Sequence, residues 1–242
     1  MTAAAIPSAG SPALQVSGLQ AYYGETHILH GVDFSVEPGQ VVCLLGRNGS
    51  GRTTTLKSVL GLVGRRSGSI RVFGQETIAQ PTERIARLGI GYCPEERGIF
   101  SSLTAEENLM LPPTIAEGGM SLAEIYEMFP NLKERRKSQG TRLSGGEQQM
   151  LALGRILRTG ARLLLLDEIT EGLAPVIVEA LGKAIERLKA RGLTLVMVEQ
   201  NFRFVEALAD RYYVIEHGRV IDTVARDELD SKAAAIERHL GV

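Results

Sequence analysis

The stretch VVCLLGRNGSGRTTTLKSVL, residues 41–60, decides the architecture. Its opening run is apolar, too short for a helix and closed by Gly46, which predicts a strand buried on both faces. The TTTLKSVLGLV that follows reads as a helix. Between them GRNGSGRT, residues 46–53, has the spacing of a phosphate-binding loop, or P-loop. There, glycines let backbone N–H groups and a helix N-terminus wrap the phosphates of a nucleotide. Gly46, Arg47, Asn48, Gly49, Ser50, Gly51, Arg52 and Thr53 form the expected cradle. Thr53 is placed to offer a hydroxyl to Mg²⁺, and Thr54 a further hydroxyl near the phosphates. Position 52 departs from the motif, because Arg sets a wide planar fork where a compact Lys ammonium is usual. A plain Gly-rich turn from strand to helix explains the octapeptide about as well, so the other motifs must decide.

Two of them do. LLLLDE, residues 163–168, ends a buried strand in adjacent carboxylates, Asp167 and Glu168, at the edge where parallel sheets bind ligands. Strand neighbours point to opposite sides, so Asp167 can face a metal's water shell while Glu168, past the strand end, polarises an attacking water. LSGGEQQ, residues 143–149, stands shortly before it. Ser144 and Glu147 have the S-x-x-E spacing of a helix capping box, which leaves Gly145 and Gly146 unexplained. Glycines weaken a first helical turn unless the backbone must approach something closely, and a phosphate is such a thing.

Further out, LQVSGLQAYY and ILHGVDFSV read as antiparallel edge strands, and residues from about 104 to 137 as mostly helical. After Ser144 strands and helices alternate to the end, the pattern of a mostly parallel sheet covered by helices. The opening MTAAAIPSAGSPA, residues 1–13, reads as a disordered leader without the basic start and apolar centre of a secretory signal. No apolar stretch nears the roughly 20 residues of a membrane span. The 27 Lys and Arg balance 28 Asp and Glu, which argues against a polyanionic partner such as nucleic acid. Cys43 and Cys93 both lie in apolar runs, and the four His form no ligand cluster, so core thiols in a reducing compartment are expected.

GRNGSGRT, LSGGEQQ and LLLLDE, in this order and spacing, resemble the ATP-binding cassette of ABC transporters, and the resemblance covers residues 14–242. It implies an α/β P-loop NTPase core with a mostly parallel sheet, an antiparallel β lobe and a helical subdomain over about 100–158. It further implies an ATPase using Mg²⁺ in a head-to-tail dimer with a second cassette, identical or different. Each ATP is then held between one subunit's P-loop and the Ser144, Gly145, Gly146 and Glu147 signature of the other. In that picture Tyr23 stacks on adenine, with Tyr22 beside it as a competitor. Thr53 and Asp167 serve the metal, as does Glu95, where the family usually has a Gln that also senses the permease. Glu168 and Gln200 serve catalysis.

EGLAP, VEQN and YYGETHILHGV look like the smaller ATPase of branched-chain amino acid importers, a look that urea and short-amide importers share. The implied setting is the cytoplasmic face of the cell membrane, beneath permeases that an external binding protein supplies with cargo. Four positions depart from the general family pattern: Arg52 for Lys, Glu95 for Gln, Gln200 for a switch His and Ala174 for an Asp. Gln200 can hydrogen-bond a phosphate but cannot become a cation. A nucleotide-binding regulatory cassette with little hydrolysis of its own is therefore the competing expectation.

Overall fold

The computed structural model describes residues 11–241. Two sheets carry the fold. The first is antiparallel, in the order β2-β1-β4-β5, with β1 (Leu14–Tyr23) between β2 (Thr26–Val36) and β4 (Arg65–Val72), and β5 (Gln75–Glu76) at the edge. The second has the order β10-β9-β3-β8-β7-β6. In it β9 (Arg211–Glu216), β3 (Val41–Leu45), β8 (Thr194–Glu199), β7 (Leu163–Asp167) and β6 (Ile90–Cys93) run parallel, and β10 (Arg219–Ala225) pairs antiparallel with β9.

Strand period divides the apolar runs between two cores. Cys43, Leu45, Leu164, Leu166, Leu195 and Met197 point into one core, with α6 (Gly145–Leu157) and α7 (Pro175–Ala190). Val42, Leu44, Leu163, Leu165, Val196 and Val198 point into the other, against α1 (Arg52–Val59) and the antiparallel sheet. Strands buried on both faces need no polar side chains until they end. Their carboxyl ends are therefore where the first charged residues appear, Asp167 on β7 and Glu199 on β8.

Residues 100–158 contain α3 (Ala105–Met110), α4 (Leu122–Met128), α5 (Pro130–Glu134) and α6, and α3 and α5 both pack on α6. The short α2 (Thr82–Ala86) precedes β6. The sheet is followed by α8 (Phe202–Glu206) after β8 and α9 (Leu229–Leu240) after β10. The expectation of mostly helical structure over 104–137 fails at 111–121. Pro112 and Pro113 cannot continue a helix, and the segment bonds to the end of α6 instead, Ile115 N–H to Thr159 O at 2.8 Å and Met120 N–H to Leu157 O at 3.0 Å.

The leader expected over 1–13 lies mostly outside the described residues. Its last residue does not belong to it: Ala13 is fully buried, gives its N–H to Val36 O and accepts from Phe73 N–H. Both cysteines are buried and unpaired with each other. Among the described residues no helix is long and apolar enough to cross a membrane.

Candidate active site

The P-loop leaves β3 at Leu45 and doubles back tightly onto α1. A Cβ at Gly46 would lie 2.3 Å from Ile215 O and 2.6 Å from Ser50 Oγ, so no side chain fits there. Gly51, at φ +107, is the N-cap of α1 in a conformation that side-chain-bearing residues rarely adopt. No side chain caps this helix and no acid sits in its first turn, which leaves its N–H groups and dipole facing outward. They open on a recess of 210 Å³ lined by residues 49–54 with Ile28 and Glu168. In and beneath the loop, Ser50 Oγ and Arg52 Nη1 are buried without a hydrogen-bond partner. Such orphaned groups are costly in a folded chain. An acceptor-rich anion next to a helix N-terminus answers both, so the residues present fit a nucleotide phosphate.

At the end of β7, Asp167 is fully buried and accepts from Thr53 Oγ1 and from Tyr92 OH, each at 2.9 Å. Burial raises its pKa, against the pull of those two hydroxyls and of Lys57 and Arg52. Glu168 stands just past the strand at φ +47, its N–H bonded to Val198 O at 2.9 Å. Its carboxylate meets Arg52 Nη2 at 2.9 Å, and the same nitrogen donates to Asn48 Oδ1 at 3.2 Å. Burial raises the pKa of Glu168, Arg52 opposes it, and Glu171 and Glu95 reinforce it. The guanidinium that replaces the usual ammonium is thus turned toward the carboxylate expected to act as base.

Thr53 and Asp167 are brought together, but Glu95 is not brought onto them. It is exposed, and its pKa is raised by burial and then by the Glu171, Glu96 and Asp167 carboxylates. Among the described residues no three His, Cys, Asp or Glu side chains assemble as a metal site. Mg²⁺ keeps most of its water and needs only one or two protein ligands beside phosphate. Thr53 and Asp167 meet that demand.

Other expected positions divide. Gln200 is exposed immediately beyond β8, and Thr54 lines the recess. Tyr23 is exposed, whereas Tyr22 already stacks on His27, ring centroids 4.1 Å apart, and lies under the Arg65 guanidinium at 4.3 Å. That leaves Tyr23 as the ring open to a ligand. Arg47 is engaged elsewhere: its Nε donates to His239 O at 3.1 Å, at the carboxyl end of α9, where a cation is favoured. Its backbone belongs to the loop, but its side chain serves the C-terminal helix.

The signature forms the expected capping box. Ser144 Oγ accepts from Glu147 N–H at 3.2 Å, and Ser144 N–H donates to Glu147 Oε2 at 2.7 Å. Gly146 has a reason of its own. A Cβ on Gly146 would meet Ile177 of α7 at 2.8 Å, and one on Gly145 would meet the Arg97 guanidinium at 3.3 Å. Close packing inside the chain already requires Gly146 to be small, without appeal to a phosphate. Three residues at the site escaped the reading of the sequence: Tyr92, which holds Asp167, and Thr170 with Glu199, which join two of its loops. Tyr92 becomes visible only once β6 is known to lie beside β7.

The family model for ABC transporters matches residues 29–171. The chain is similar to the high-affinity branched-chain amino acid transport ATP-binding protein BraG of Pseudomonas aeruginosa, 42% identical over 211 residues, which are 86% of this chain and 91% of the relative. It is also similar to the lipopolysaccharide export system ATP-binding protein LptB of Escherichia coli K12, 34% identical over 86% of this chain and 88% of the relative. A solved structure of the ATP-binding subunit of an ABC transporter superposes with a TM-score of 0.78 at 27% identity, covering 95% of this chain and 99% of the other.

Proposed function

The chain belongs to the ABC transporter family of ATP-binding cassettes, and on that premise we propose that it powers branched-chain amino acid import by ATP-dependent pairing with a second cassette beneath membrane permeases. Cassettes of this family hydrolyse ATP, dimerise and couple to permeases. The observation that supports a hydrolytic site in this chain is the recess between P-loop and Glu168, with Ser50 Oγ and Arg52 Nη1 buried and unpaired beside it.

The roles follow from position. Loop N–H groups, Ser50 and Arg52 bind phosphate, while Tyr23 stacks on the base. Thr53 and Asp167 would hold Mg²⁺, which would offset charge on the phosphate oxygens, and Glu95, not brought onto either residue, would act on the ion only through water. Glu168 polarises the attacking water, for which its carboxylate must part from Arg52. Gln200 hydrogen-bonds the γ-phosphate as a neutral group. Ser144, Gly145, Gly146 and Glu147 complete the partner's site, their helix N-terminus facing its phosphate. The chain works at the cytoplasmic face of the membrane, and an external binding protein delivers cargo to the permeases. The near-neutral charge balance speaks against a nucleic-acid partner.

The greater identity to BraG than to LptB favours amino acid cargo over lipopolysaccharide. Copurification with the permeases, followed by ATPase assay with a binding protein and candidate cargo, tests the reading. Leucine, isoleucine or valine should stimulate turnover. Stimulation by urea, short amides or lipopolysaccharide alone would contradict it. A second reading, a regulatory cassette with little hydrolysis, is favoured by one contact, the Arg52–Glu168 ion pair that occupies the base. ATPase measurement on the assembled complex separates the two.

A further inference from the structure

Glu199 is the last residue of β8 and is 2% exposed, after the apolar run Leu195 to Val198. A carboxyl group in that position is costly unless its oxygens are satisfied. Both are satisfied by one residue. Thr170 Oγ1 donates to Oε2 at 2.8 Å and Thr170 N–H to Oε1 at 3.3 Å, and Thr170 is itself buried. Thr170 lies two residues after Glu168, and Glu199 lies immediately before Gln200. Glu168 N–H is already held by Val198 O. The segment from Glu168 to Thr170 is thus clamped to β8 at two successive points, with the left-handed backbone of Glu168 at one of them.

We propose that Glu199 is a positioning residue for ATP hydrolysis: through its paired bonds to Thr170 it holds the loop bearing Glu168 and the strand end bearing Gln200 in one fixed relation. The proposal rests on the hydrolytic roles assigned above to Glu168 and Gln200. Neither Glu199 nor Thr170 lines the recess, so their effect passes through the residues they hold. Burial pushes the Glu199 carboxyl up to about 8, against the pull of its two bonds from Thr170. A merely space-filling role would be served by Val or Leu at 199, and would leave Thr170 Oγ1 without this buried acceptor.

The test measures ATP turnover and binding of a fluorescent ATP analogue for the full-length chain in its transporter complex. Thr170→Val and Glu199→Ala should each lower kcat by about 10-fold while shifting nucleotide Kd by less than about 2-fold, the split expected when transition-state geometry alone is lost. The double variant should be no worse than the worse single one, because both remove the same contact. Thr170→Ser and Glu199→Gln, which keep a donor and an acceptor, should stay within about 3-fold of the parent. If Glu199→Ala does not fold, Thr170→Val carries the comparison. Unchanged kcat in Thr170→Val, losses that multiply in the double variant, or Kd weakened in proportion to kcat would each overturn the proposal. Glu168→Gln run alongside tells the two failures apart. If it slows turnover while the Thr170 variants do not, only the tie falls. If it too is without effect, the hydrolytic reading falls and the tie with it.

Discussion

The P-loop and the signature are both glycine-rich entries into a helix, yet they are built oppositely. The P-loop begins a helix without a side-chain cap, and it leaves Ser50 Oγ and Arg52 Nη1 buried without partners. The signature begins α6 with a reciprocal capping box and keeps Ser144 exposed. One region is unsatisfied within its own chain, while the other has closed on itself. An anion completes the first directly. The second gains from an anion only by presenting its helix N-terminus to a phosphate held elsewhere, as a head-to-tail dimer provides. On this view the two regions serve different ATP molecules.

The largest expected effect breaks the first region. Gly51→Val places a β-branched residue at φ +107 and a Cβ 2.7 Å from Leu29 Cδ2. It should weaken nucleotide binding by on the order of 100-fold, the loss of about 2–3 kcal/mol of charge-assisted contacts. Fluorescent-nucleotide titration checks this, and unchanged affinity would remove the P-loop from the site.

Ser144→Arg addresses the second region. Bulk and charge there should leave nucleotide affinity of the isolated chain unaltered and abolish most transport by the assembled complex. Its cost in transport should exceed that of Glu168→Gln in this chain if a different partner cassette supplies most turnover. Equal, near-complete losses from both would mean two obligatory hydrolytic sites, and so would full activity of this chain as a homodimer.

The smallest effect concerns the substituted cation. Arg52→Lys restores a compact charge and gives up the reach of the one nitrogen, Nη2, that bonds both Asn48 and Glu168. Turnover should hold or rise by a few-fold as Glu168 is released. A loss of nucleotide binding would show that the loop has adapted to guanidinium.

Much of this was legible in the sequence because its causes are local. Five apolar residues before Gly46, and four before Asp167, specify strands buried on both faces, and the S-x-x-E of Ser144 and Glu147 specifies a cap. What was not legible depends on partners distant in the chain. Arg52 meets Glu168 116 positions away, Gly146 is small because of Ile177, and the Arg47 side chain is drawn off by α9. Tyr92, Thr170 and Glu199 look like ordinary strand and loop residues until strand order sets them beside Asp167 and Glu168. The break at 111–121 had its signal in Pro112 and Pro113, which the surrounding helical periodicity outweighed.

The most direct test of the account is single-turnover ATP hydrolysis by the Glu168→Gln variant, with nucleotide binding measured on the same preparation. The carboxamide keeps the shape of the side chain and removes its ability to polarise water. Binding should be preserved and hydrolysis at this chain's site slowed by on the order of 10²-fold or more. Unchanged hydrolysis would contradict the assignment of the recess between the P-loop and Glu168 as a hydrolytic ATP site.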